Sequence, residues 1–170
     1  MTAEDVKKLL GLQLHPREGG WYVRTYEAKE IVSAAAFADG RYAGDRRTGT
    51  AIYYLLEAET FSEMHRLQTD EVFHFYAGDA VEMLQLREGA GGATIVIGSD
   101  LLRGQRPQVV VERGVWQGSR LVKGGVWALL GCTVSPGFEF DDYEAGERAK
   151  LCAGWPEFAA EIAALTRLTS

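Results

Sequence analysis

The stretch "FSEMHRLQTDEVFHFYAGD", residues 61 to 79, decides how the chain is read. It holds two of the three histidines, His65 and His74, with Glu71 between them and Gly78 just beyond. Strand alternation places Phe61, Glu63, His65 and Leu67 on one face and Ser62, Met64 and Arg66 on the other. In the following run it places Glu71, Phe73 and Phe75 on one face and Val72, His74 and Tyr76 on the other. Gln68-Thr69-Asp70 reads as the turn between them. A hairpin with its aromatics inward brings His65 and Glu71 together and turns His74 away, toward a packing or subunit surface. The spacing Glu71-x-x-His74 would suit a di-iron helix, but Val72, Phe73, Phe75 and Tyr76 favour a strand.

The same rhythm extends on both sides. Short runs, "TAIYYLL" (50 to 56), "AVEMLQL" (80 to 86), "TIVIG" (94 to 98), "QVVVE" (108 to 112), "GVWQGSRLV" (114 to 122) and "VWALLGCTV" (126 to 134), are separated by glycine-rich turns. No long helix interrupts them, so a parallel βαβ arrangement is excluded in favour of an all-β sandwich or barrel. "GGWYVRTYE" (19 to 27) adds an early strand, and "IVSAAAF" (31 to 37) fits strand or helix. Residues 3 to 12 carry Val6, Leu9 and Leu10 at helical spacing, acids first and lysines later, which predicts a short amphipathic helix. Phe158, Ile162 and Leu165 predict a closing helix over 155 to 168. The expectation is one domain over 1 to 170 with its β core at about 19 to 145.

The 170 residues carry 24 acidic and 18 basic side chains, a net charge of −6, and such a field repels nucleic acid. No run reaches the ~18 apolar residues of a membrane helix. The first residues carry acids and lysines where a secretory signal needs an unbroken apolar run, so the expected location is cytoplasmic. Cys132 and Cys152 have no CxxC spacing and read as free thiols.

His65, Leu67, Glu71 and Gly78 resemble the first motif of the cupin superfamily, with leucine where that motif has its second histidine and Glu59 in place of its leading glycine. The second motif has its counterpart in "ERGVWQGSRL", where Gly114 matches, and Glu112, Gln117 and Leu121 replace the proline, histidine and asparagine. More closely, "LHPREGGWYVRTY", "MHRLQTDEVFHFYAGD", "GVWQ" and "LLGCTVSPGFEFDDYE" resemble the DUF985 (Cupin_5) family. That resemblance implies an RmlC-like jelly-roll barrel, a homodimer and a ligand-sized cavity within the barrel.

Three functional readings follow. A histidine beside a carboxylate in an apolar barrel suits general acid/base work, as in a metal-independent sugar or nucleotide-sugar isomerase or epimerase. The same groups can line a binding or sensor pocket without chemistry. A metal-dependent oxygenase is the third reading, with His65, Glu71 and Gln117 as the ligands if a divalent metal binds. Leu67 and Gln117 each remove an imidazole, so no cofactor is expected. His65 and Glu71 are the candidate catalytic pair, Gln117 completes the polar centre, Phe73 and Phe75 form the apolar wall, and Arg24 is a candidate anion contact. Tyr22, Tyr26, Tyr53, Tyr54 and Tyr76 are candidate acids with nothing to choose among them. Arg41, Arg46 and Arg47 read as a solvated loop, and His15 as a turn residue. In "PGFEFDDY", alternation sets Phe138, Phe140 and Asp142 opposite Glu139, Asp141 and Tyr143.

Overall fold

The computed structural model describes residues 1–37 and 39–167. The strands are β1 (Gln13–Leu14), β2 (Trp21–Glu27), β3 (Ile31–Val32), β4 (Arg46–Arg47), β5 (Thr50–Glu57), β6 (Phe61–Leu67) and β7 (Glu71–Gly78), followed by β8 (Val81–Arg87), β9 (Gly91–Ile97), β10 (Gln108–Val111), β11 (Trp116–Leu121), β12 (Trp127–Val134) and β13 (Tyr143–Ala145). A six-stranded sheet runs β1-β2-β5-β12-β7-β10 and a five-stranded sheet runs β13-β6-β11-β8-β9, every neighbour antiparallel. This is the all-β architecture that the sequence pattern predicts, in the jelly-roll form that the family resemblance implies, flanked by short helices.

The inward faces supply one apolar core of Tyr54, Leu56, Phe73, Met83, Ile97 and Leu130 with their neighbours. Burial of alternate residues makes this the largest stabilising contribution. Outside, α1 (Ala3–Leu10) closes the six-stranded sheet through Val6, packed with Leu12 and Leu55. The five-stranded sheet is covered by α2 (Arg148–Gly154) and α3 (Ala159–Ala164), through Leu151 and Ile162 against Met64, Leu84 and Leu86. The single closing helix expected over 155 to 168 is instead a 3₁₀ turn, Pro156–Phe158, followed by α3, with α2 ending just before it, and Leu168 lies outside the described residues.

The 61 to 79 stretch is not a hairpin. β6 belongs to the five-stranded sheet and β7 to the six-stranded one, so Gln68-Thr69-Asp70 carries the chain from one sheet to the other. Both strands turn one face inward, which is why His65 and Glu71 still converge. Within β6, Gln117 pairs with His65 and Ser119 with Ser62, so β6 holds one residue more than β11 over this interval. That bulge puts Phe61 and Met64 with the outer cluster while Ser62 joins His65 inside, which strict alternation does not allow. At the end of β7, Gly78 has φ 93°, and a Cβ there would overlap the Trp127 carbonyl oxygen.

Candidate functional site

The apolar core fills one end of the space between the sheets. The other end is a cavity of about 470 Å³, within the usual range of small-ligand sites. His65 from β6 and Glu71 from β7 both line it. Each is held by a strand of a different sheet.

Gln117 on β11 joins them. Its amide nitrogen donates to Glu71 Oε2 at 2.6 Å and lies 3.4 Å from His65 Nε2. His65 Nδ1 is 2.7 Å from the Glu63 carbonyl oxygen, which can only accept, so Nδ1 carries the proton and Nε2 presents its lone pair. Burial raises the Glu71 carboxyl to about 7, the nearby Glu18 carboxylate pushes the same way, and His65, Gln117 and Cys132 oppose them. The Cys132 thiol, also on the cavity, is pushed well above its ordinary value by burial and by Glu71.

Three groups at this centre do not emerge from alternation. Glu18 and His15 sit in the connection between β1 and β2, where Gly19 at φ 99° lies so close to the Phe61 backbone that a Cβ would overlap its carbonyl oxygen. The turn brings Glu18 over β6, where Ser62 Oγ donates to it, and Glu18 Oε2 stands 4.0 Å from His65 Nε2 and 3.9 Å from His15 Nε2. His15 is a cavity residue rather than only a turn residue. Its Nδ1 accepts the Glu18 backbone N–H at 2.8 Å, and burial lowers its proton affinity. The double glycine in "REGGW" is the signal that a close approach occurs there.

Tyr143 is the third. Its ring stacks on His65 with centroids 4.9 Å apart and planes 19° from parallel, and it lines the cavity. Burial, then Glu18 and Glu63, push its phenol well up from the ordinary tyrosine value. Of the tyrosines singled out from sequence, Tyr22 also lines the cavity, whereas Tyr54 is buried with its hydroxyl on the Gly19 carbonyl. Alternation fails in "PGFEFDDY" because Phe140–Asp142 is a 3₁₀ turn, so Phe138, Glu139 and Phe140 all reach the cavity.

The other expected site residues are placed as follows. Gln117 is buried behind His65 and Glu71 rather than on the wall. Phe73 and Phe75 are not on the wall either, a correction to the expected apolar lining: they pack in or against the core at the filled end, opposite Cys132 and Leu130 on β12. Arg24 lines the cavity and is paired with Glu27 Oε2 at 2.7 Å. Arg46, expected in a solvated loop, is buried in a two-pronged ion pair with Asp142, Nη2 to Oδ1 2.7 Å and Nε to Oδ2 3.0 Å, which anchors the turn carrying Phe138 and Phe140. Arg41 and Arg47 pair with Asp39 and Glu27. His74 faces outward, 3.2 Å from Thr133 Oγ1. Cys132 and Cys152 are both free.

The donor set does not fit the metal that many cupins carry. Leu67 presents hydrocarbon to the cavity, and Gln117 spends an amide N–H on Glu71. Among the described residues no group of three or more His, Cys, Asp and Glu is arranged to hold an ion. No helix among them is long and apolar enough to cross a membrane.

Residues 4–146 match the model of Cupin_5, described as Cupin superfamily (DUF985). The chain is similar over 99% of its length to a crystallographically determined protein from Shewanella oneidensis, at 33% identity, 99% of that chain and a TM-score of 0.87. It is also similar to a hypothetical protein from Leishmania major, at 28% identity over 99% of this chain and 100% of that one, with a TM-score of 0.88. Oxalate decarboxylase from Bacillus subtilis shares the fold at 12% identity, covering 91% of this chain and 37% of that one, with a TM-score of 0.53. No curated protein matches the sequence.

Proposed function

We propose that this chain, which belongs to the Cupin_5 (DUF985) family, binds a small polar molecule in its barrel cavity and moves a proton on it, as a metal-independent isomerase or epimerase acting on a sugar-like carbonyl compound. One observation carries the reading: a histidine whose Nδ1 holds the proton, leaving only the long Gln117 contact at Nε2, and a carboxyl raised to about 7 meet on the wall of one cavity. The first offers an acceptor nitrogen and the second, poised near neutral pH, can give a proton, the division of labour that proton transfer next to a carbonyl requires.

In this reading His65 Nε2 takes the proton from the carbon beside the substrate carbonyl. The C–H electron pair becomes a carbon–carbon double bond, and the carbonyl electrons move onto oxygen, which receives the Glu71 proton. Return of a proton to carbon on the other face, or to the neighbouring carbon, completes epimerisation or isomerisation with no oxidant or reductant. Tyr143, stacked on His65, fixes the ring plane, and the phenylalanines at positions 138 and 140 keep the centre apolar.

The test is exchange with solvent. Candidate sugars and small hydroxycarbonyl compounds are incubated with the protein in deuterium oxide, and NMR reads deuterium at the carbon next to the carbonyl. Exchange that His65→Ala abolishes while binding survives supports the reading. Exchange retained by His65→Ala removes the acid/base role. A ligand that binds without exchange favours the binding or sensor alternative.

The reading includes a homodimer. Val72, His74, Tyr76 and Val110 share the outer face of the six-stranded sheet, where Tyr76 is 51% and Val110 49% exposed. Such a face is a natural two-fold contact. A monomeric mass at micromolar concentration would count against it.

A further inference from the structure

Two carboxylates face this cavity from its depth, and among the described residues neither has a lysine or arginine within ion-pair distance. Glu71 is 7% exposed, and its side-chain partners, the Gln117 amide and the Cys132 thiol, are both neutral. Glu18 is held by the Ser62 hydroxyl, and its nearest candidate cations are the two imidazoles. Both are tied up in neutral arrangements. His15 Nδ1 accepts backbone N–H groups of Arg17 and Glu18, so it has no room for a second ring proton. His65 donates from Nδ1 and receives the Gln117 amide at Nε2. Arg24 answers to Glu27 and to the Phe138 carbonyl, and Glu139 adds a third acid to the lining.

A buried carboxylate without a countercharge is costly. Four aromatic rings, those of Tyr22, Phe138, Phe140 and Tyr143, line the same space. Carboxylates backed by aromatic rings are the chemistry that recognises an organic cation. We infer that the ligand of this cavity carries a protonated amine, seated against the Glu18 carboxylate and among the aromatic rings, with Glu71 left as the proton donor. The inference rests on the reading of the cavity as a ligand site and narrows its substrate class from sugars in general to amine-bearing ones. Diphosphate-linked sugars are disfavoured, because their phosphates would meet acids on every side.

Benzylamine, benzyl alcohol and benzoate share one body and differ only in the charge of the head group. Dissociation constants for the three at neutral pH, read from the His65 and Tyr143 ring resonances, test the inference on the wild-type protein. The amine is expected to bind about tenfold tighter than the alcohol or more, as a hydrogen bond to a charged group allows, and benzoate weakest. Glu18→Gln keeps an acceptor for Ser62 and is expected to bring the amine and alcohol to within about twofold. If the alcohol or benzoate binds as tightly as the amine, the charge class is wrong and the ligand cavity stands. If none of the three moves either ring at millimolar concentration, the ligand-cavity reading falls with it. The ranking of the three needs no variant, so a folding defect in Glu18→Gln does not rescue the inference.

Discussion

The Gln117 amide donates to the Glu71 carboxylate across 2.6 Å, and that bond ties a strand of the five-stranded sheet to a strand of the six-stranded one. Burial displaces the acid it holds from 4.5 to about 7.

That displacement has a sign. The unfolded chain releases the Glu71 proton near 4.5 and the folded one near 7, so folded stability falls as pH rises through that window and levels off above it. At about 1.4 kcal/mol per pH unit the effect approaches about 3 kcal/mol. Glu71→Gln is expected to remove it, leaving the variant more stable than wild type at pH 8 and closer to it at pH 5. Denaturant melts at the two pH values check this, and parallel pH profiles for the two proteins would refute it.

Arg46→Ala strands the Asp142 carboxylate, which is 3% exposed, and is expected to cost about 3–5 kcal/mol. Replacing both partners, Arg46→Met with Asp142→Leu, is expected to recover much of the loss. Chemical denaturation of the two variants decides it, and a single-variant loss under about 1 kcal/mol would mark the pair as an ordinary surface bridge.

Gly78→Ala is expected to destabilise by about 2 kcal/mol or more, since an L side chain at φ 93° is strained and its Cβ meets the Trp127 backbone. Thermal unfolding measures it. A melting point equal to wild type would mean that the end of β7 can reshape freely.

Protein purified without added metal is expected to hold far less than one equivalent of any transition metal. Elemental analysis checks this, and stoichiometric Fe, Mn, Ni or Zn would reinstate His65, Glu71 and Gln117 as ligands.

The site was half legible in the sequence. Alternation put His65 and Glu71 on inward faces, and it needed no knowledge of which strands pair, because both sheets bury one side. Glu18 and His15 were out of its reach: they reach the centre through a glycine turn, and a turn has no period. Arg46 and Asp142 stand 96 positions apart, and neither charge announces that the other will be buried beside it. Tyr143 was lost for a related reason, since the 3₁₀ turn at Phe140–Asp142 resets the phase just before it. In the fold, strand positions followed the hydrophobic pattern closely, while the transfer of the chain between sheets at Gln68–Asp70 was invisible, because a turn and a crossing use the same residues.

The extra residue in β6 has a consequence for inheritance. Ser62 and His65 point the same way only because the strand is one position longer than its partner between them. Adding one residue to β11 between Gln117 and Ser119 would restore regular pairing and leave a perfectly good strand, with the Glu18 anchor and the imidazole on opposite sides. Among descendants of this chain, substitutions here can be absorbed one at a time, but the count of residues cannot drift. A relative with every site residue present and that count altered would keep the parts and lose the assembly.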